Sequence, residues 1–322
     1  MNTLIDAINA STWADRTKKN RISFIKTLKK ELDPDTKDYN FLKNFNLTSK
    51  YILNSTTNPT TRKSKILTIK ALLHLVNDPA AAKYDKLGST LIDASDEFKG
   101  NNVVKDKNKW ITYDEMLEIP YIIGSAIKYI YGAIFLDYDD IDKLNSVAAK
   151  HKYLRMLTEY IISVIYCWQA PVRADYALVS LKPSKTSNWY DMNRGIIHWN
   201  DFKNIKSMGA QSWQISKDIK DELNNYISIL KYIIDEPKRL LYLVGNRDAK
   251  EFTRESFATT FNRIMKHYTK KNITINTMRH VYETHIITSP HYNKLTINEQ
   301  NALHERLLHR ASTARSYVKI EK

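Results

Sequence analysis

The sequence predicts a mainly α-helical protein with a small antiparallel β-sheet: a helical amino-terminal domain followed by a larger mixed α/β domain. Three observations carry this. Apolar residues recur at helical spacing along most of the 322 residues. Seven Gly and eight Pro are too few for a turn-dense all-β fold. Two short segments in the second half alternate as strands do. With 43% hydrophobic residues the chain can build a sizeable core, and its length suits about two domains at ~100–200 residues each.

In chain order, Ile22, Ile25, Leu28 and Leu32 share one helix face, ringed by Arg16, Lys18, Lys19, Arg21, Lys26, Lys29 and Lys30. Asp33 and Pro34 stop that helix. A short helix at 47–53 follows. Asn58-Pro59-Thr60 opens another, with Ile66, Ile69, Leu73 and Val76 inward and Arg62, Lys63, Lys65 and Lys70 off that face. A fourth spans 84–98. Residues 1–99 are thus a helical bundle with basic outer faces, and the polar, aperiodic stretch 100–109 is the linker. The second domain, 110–322, begins at Thr112 and Glu115, which have capping-box spacing. Pro120 is expected to kink or restart that helix. Residues 153–169 read as a central helix, apolar nearly all round and ended by Pro171. Residues 195–199 and 212–216 read as a hairpin with a long connection, 218–234 as an amphipathic helix and 240–244 as a strand. Helices at 254–270, 277–288 and 297–308 follow, the last opened by a capping box at Thr296 and Glu299.

Charge points to the partner. Fifty Lys and Arg against 35 Asp and Glu give +15, shared as +8 before Trp110 and +7 from there on. An excess spread over both halves favours a polyanion, above all nucleic acid. There is no signal-peptide pattern and no apolar run of membrane-spanning length, and mean hydropathy is −0.49. No membrane partner, small-molecule substrate or secretion is expected, and the expected location is the cytoplasm or a nucleus, wherever the nucleic acid lies. A single cysteine, Cys167, excludes a disulfide framework, and its apolar helix marks it as core. No Gly-rich phosphate loop occurs. His304 and His309, like His280 and His285, are five residues apart, which on one helix turns them ~140° from each other, so neither pair suits zinc. With no acidic cluster either, no metal and no cofactor is expected.

What remains is an ordered set. The segment IYCWQAPVRADYALVSL at 165–181 ends a buried helix in a turn carrying Arg173. NTMRHVYETH at 276–285 carries Asn276 and Arg279, and LLHRASTARSY at 307–317 carries His309 and Tyr317. In order and spacing these segments resemble the tyrosine recombinase (integrase) family, over nearly the whole chain. The resemblance implies a core-binding domain in the amino-terminal helices and a catalytic domain after the linker, together forming a C-shaped clamp on double-stranded DNA. It implies Tyr317 as nucleophile, Arg173 and Arg279 on the phosphate, His309 beside it, and a hairpin lysine. Lys203 is preferred for that role; Lys206 is the alternative. Arg16, Lys18, Lys19, Arg21, Arg62, Lys63 and Lys65 become the DNA-backbone contacts. The family's synapse implies a homo-tetramer, and a viral or mobile-element integrase is the expected setting. Two departures stand out: Asn276 replaces the family's usual His, and Tyr176, with Asp175 beside it, stands where the first box usually has Glu. The chain ends five residues after Tyr317, leaving little for a tail that links subunits.

The chemistry suits these residue types. Attack by a Tyr hydroxyl on phosphorus makes a covalent 3′-phosphotyrosine and stores the bond energy for rejoining, without ATP or metal. Arginine donates in pairs to non-bridging oxygens and keeps its charge, and lysine can protonate the 5′ leaving oxygen. The alternatives are a type IB topoisomerase-like relaxing enzyme with the same nucleophile, or a non-catalytic DNA-binding relative.

Overall fold

The structure, a computed structural model, describes residues 3–35, 38–100, 104, 106–309 and 318. It is mainly α-helical with small antiparallel sheets, as expected from the sequence, and divides into two compact units, Met1–Asn102 and Val103–Lys322. No helix among the described residues is long and apolar enough to cross a membrane.

The first unit consists of α1 (Thr3–Ala10), α2 (Asp15–Leu32), α3 (Phe45–Asn54), α4 (Pro59–Leu75) and α5 (Ala81–Gly100). Local signals set the ends. Asn44 and Asn58 each accept from a backbone N–H three residues on, and Pro59 takes the first helical position, where its missing N–H costs nothing. Ile8, Ile25, Leu42, Ile52, Ile66, Ile69, Leu72 and Tyr84 fill the core. Gly88 lets α5 approach α4: a Cβ there would meet Leu67 at 2.7 Å. The short helix α1, for which the sequence carried no clear periodicity, adds Leu4 and Ile8 to this core.

The second unit is built around α8 (Val147–Cys167), buried on nearly every face from Leu157 to Cys167. Packed on or following it in the chain are α6 (Tyr113–Tyr131), α7 (Tyr138–Asp142), α9 (Ile205–Met208), α10 (Lys217–Ile233), α11 (Arg254–Thr269), α12 (Ile275–Thr288) and α13 (Ile297–Glu305). The capping boxes at Thr112/Glu115 and Thr296/Glu299 both form. Strands β1 (Trp189–Asp191), β2 (Ile196–Trp199) and β3 (Gln211–Gln214) pair antiparallel in that order, with Ile197 opposite both Tyr190 and Trp213. A second ribbon pairs β4 (Tyr242–Val244) with β5 (Ala249–Glu251).

The sequence expectations need two corrections here. Pro120 does not restart α6, which runs through it to Tyr131; the proline lies on the buried face with Met116, Ile119 and Ile123, and packing outweighs one lost ladder bond. The last helix ends at Glu305 rather than Leu308. Past it, the N–H groups of Leu307 and Leu308 donate to the carbonyls three residues back, and Leu308 adopts φ +55°, a left-handed conformation in which a helix cannot continue.

Candidate active site

Arg173 stands where α8 has ended and a 3-10 turn, Ala174–Leu178, begins. Its carbonyl accepts a 2.6 Å hydrogen bond from the Tyr166 hydroxyl, which fixes the loop to the helix. The half-buried side chain makes no hydrogen bond or ion pair with the described residues. Asp175, two residues on, is buried. Burial raises its pKa, against the pull of Arg254, whose Nε lies 3.1 Å away. Arg254 also reaches Asp201 at 3.1 Å, so one guanidinium ties the Arg173 loop to the exit of β2.

Arg279 projects from α12 into the interior and is 0% exposed. Its Nη1 donates to the Pro171 carbonyl at 3.0 Å and to the Leu307 carbonyl at 2.9 Å. Pro171 is two residues before Arg173, and Leu307 two before His309, so a single nitrogen clamps the loop of the first to the turn of the second. Asn204 adds a third tie, its Nδ2 donating to the Leu308 carbonyl at 2.9 Å. The β2–β3 connection is therefore held against the same turn. Lys203 is the residue next to this anchor. Lys206 lies in α9, and both lysines are exposed. Asn276, second residue of α12, is exposed too and sits three positions before Arg279.

His309 is fully buried. Its Nε2 lies 3.0 Å from Oε1 of Glu283, at ion-pair distance but out of line for a straight hydrogen bond. The other imidazole of the pair, His304, approaches the same carboxylate with Nδ1 at 3.0 Å, and its Nε2 lies 2.7 Å from the Tyr292 hydroxyl. Burial alone would raise the Glu283 pKa, but the contacts from His304 and His309 outweigh it and hold the carboxyl below its ordinary value. The rule that set these histidines ~140° apart assumed one helix. Because α13 ends at Glu305, that rule does not apply and both imidazoles converge on one carboxylate. No group of three or more His, Cys, Asp or Glu among the described residues is placed to hold a metal ion. Tyr317 lies outside the described residues.

The basic residues expected on DNA divide by what they touch. Lys19 is exposed, as is Arg16. Lys18 donates to the Asn9 carbonyl, Arg62 to the Thr56 carbonyl and Lys65 to the Ser55 hydroxyl. Arg21 stacks over Trp13 at 3.5 Å, and burial lowers its pKa. With Lys63 it lines a shallow pocket of about 320 Å³ that also presents Thr60, Ser64, Thr68 and Ser95. Several of these side chains therefore brace the helices as well as carry charge, which the picture of a wholly solvated basic face omitted.

Glu283 and Asn204 went unnoticed in the sequence. Glu283 had a signal, an acid one turn after Arg279 on the same helix face. Asn204 had none, since its partner is more than a hundred residues away.

No model of a protein family matches the chain, and no curated protein matches it. Among solved structures it is similar to the crystal structure of XerA recombinase, with 11% identity, 99% of this chain and 94% of that chain covered, and a TM-score of 0.42. A likeness of that degree assigns no activity.

Proposed function

We propose that this chain is a DNA strand-breaking and rejoining enzyme of the tyrosine recombinase type, acting through a covalent 3′-phosphotyrosine without metal or ATP. The observation that carries the reading is the Arg279 clamp: it draws together the loop of Arg173 and the turn of His309, while Asn204 brings in the lysine-bearing connection. Residues from four separated segments thus meet in one region, as a phosphoryl-transfer site requires.

In this reading Tyr317 attacks phosphorus. Arg173, with its guanidinium unengaged by the described residues, neutralises the non-bridging oxygens. Arg279 both holds the two loops and places positive charge behind the phosphate. Lys203 protonates the 5′ oxygen, and Asn276 offers an uncharged hydrogen bond where a histidine would offer a charged one. The basic helices of the first unit grip the backbone of double-stranded DNA. Four protomers on two duplexes would complete a site-specific exchange, in a viral or mobile-element setting.

A nicked suicide duplex tests the reading. The full chain should form a protein–DNA adduct in excess EDTA, and Tyr317→Phe should abolish the adduct while duplex affinity stays within about twofold. An adduct unaffected by Tyr317→Phe would move the nucleophile elsewhere. Plasmid relaxation without strand exchange between labelled duplexes would favour a topoisomerase-like enzyme, and binding without any adduct a non-catalytic relative.

A further inference from the structure

Arg254 is the first residue of α11, a position where the helix dipole favours acidic over basic side chains. Two carboxylates from distant segments offset the mismatch. Nε donates to Oδ1 of Asp175 at 3.1 Å, and Nη2 donates to the carbonyl and to Oδ2 of Asp201 at 3.2 and 3.1 Å. Asp175, 4% exposed, lies two residues after Arg173, and Asp201 lies two residues before Lys203. Asp201 is also held by the fully buried Asn188, whose Oδ1 accepts from the Asp201 N–H at 2.8 Å and whose Nδ2 donates to the Asp201 carbonyl at 2.9 Å. Beyond it Phe202 is buried, and Asn204 donates to the Leu308 carbonyl. Lys203 is therefore an exposed residue on backbone anchored before and after it.

We propose that Arg254 is a positioning residue for strand cleavage: by bonding Asp175 and Asp201 at once, it fixes the loop of Arg173 against the backbone that presents Lys203. The inference rests on the recombinase reading for the chemistry of those two side chains; the tie itself rests on the hydrogen bonds of Arg254. A planar guanidinium can serve two acceptors in a fixed geometry, which a single ammonium cannot. The pair with Asp201 is exposed and adds little stability by itself, so what the arrangement supplies is geometry. Arg173 also feels the charge of Asp175. With Arg254 engaging that carboxylate, Arg173 keeps its guanidinium for the phosphate. Phosphoryl transfer is sensitive to such placement, since a shift of ~1 Å can cost about 100-fold.

Two measurements on the full chain test this. On saturating suicide duplex, Arg254→Ala should slow adduct formation about 10–100-fold, with duplex affinity within about twofold. On the same duplex carrying a bridging 5′-phosphorothiolate, whose thiolate leaves without an acid, the defect should shrink about 3–10-fold, because displacement of Lys203 no longer counts while that of the Arg173 loop does. Arg254→Lys keeps the charge but not the fork, and should fold as the wild type does with a defect of the same kind. An equal defect on the two duplexes, which a general loss of folded protein would give, overturns the proposal, as do wild-type rates in Arg254→Ala. Amide hydrogen exchange without DNA reads the tie apart from the chemistry: Arg254→Ala should speed exchange in 171–178 and 200–204 together. Faster exchange in only one segment, or in neither, overturns the proposal. Absence of an adduct from the wild-type chain would instead refute the recombinase reading, and exchange would still decide whether the two segments are tied.

Discussion

Arg279 gives the sharpest test because its hydrogen bonds to Pro171 and Leu307 make a stability claim that needs no DNA. Its Nη1 is a charged donor shared by two buried carbonyls at 3.0 and 2.9 Å. Hydrogen bonds from charged groups contribute about 1.5–3 kcal/mol each. Arg279→Ala removes both and leaves the Pro171 and Leu307 carbonyls short of a partner, so the second unit should lose about 3–6 kcal/mol. That is a large share of the ~5–15 kcal/mol that holds a domain together. Arg279→Lys keeps the charge but not the planar fork, and should lose about half as much. Urea unfolding followed by tryptophan emission reads the right unit, because Trp110, Trp168, Trp189, Trp199 and Trp213 all lie in it and only Trp13 in the other. At ~3 kcal/mol per molar urea for a unit of this size, the midpoint should fall by about 1–2 M. A shift below ~1 kcal/mol would refute the clamp and leave Arg279 with a purely chemical role.

Lys203→Ala should slow cleavage strongly on an ordinary phosphodiester and little on a bridging 5′-phosphorothiolate, whose thiolate leaves without an acid; rescue of Lys206→Ala instead would assign the proton to Lys206. Lys19→Ala should lower the slope of log affinity against log salt by about 0.9 without changing thermal stability, as expected for one lost phosphate contact; an unchanged slope would take Lys19 off the DNA. The pKa of Glu283 is depressed in the folded protein, so its ionised form adds stability above the ordinary carboxylate value of ~4.3, and this is lost as pH falls through the lower folded value. The wild-type chain should therefore exceed Glu283→Gln in urea midpoint at pH 7, with the gap closing below about pH 4; a gap independent of pH would mean that Glu283 carries no charge in the fold.

Local chemistry alone determined much of this protein. A capping Asn and a Pro at the first helical position are enough to start α4, because the groups they satisfy or omit lie within one turn. The capping boxes at Thr112 and Thr296 work in the same way, and the all-round apolarity of 153–169 marked the central helix of the second unit. The order of Arg173, Arg279 and His309 along the chain was also plain in the sequence. Tertiary packing decided the rest. Strand β1 is three residues long and exists because β2 offers it a ladder; three residues carry no periodicity to read. Pro120 stays helical because the face it lies on is buried. The end of α13 is set by Leu308 at φ +55°, a conformation disfavoured for leucine in isolation and held where Arg279 and Asn204 capture the carbonyls of Leu307 and Leu308. The same reversal brings His309 to the Glu283 carboxylate that His304, still within α13, already contacts. Helical spacing places such residues apart, and only long-range hydrogen bonds, invisible to any local pattern, bring them together.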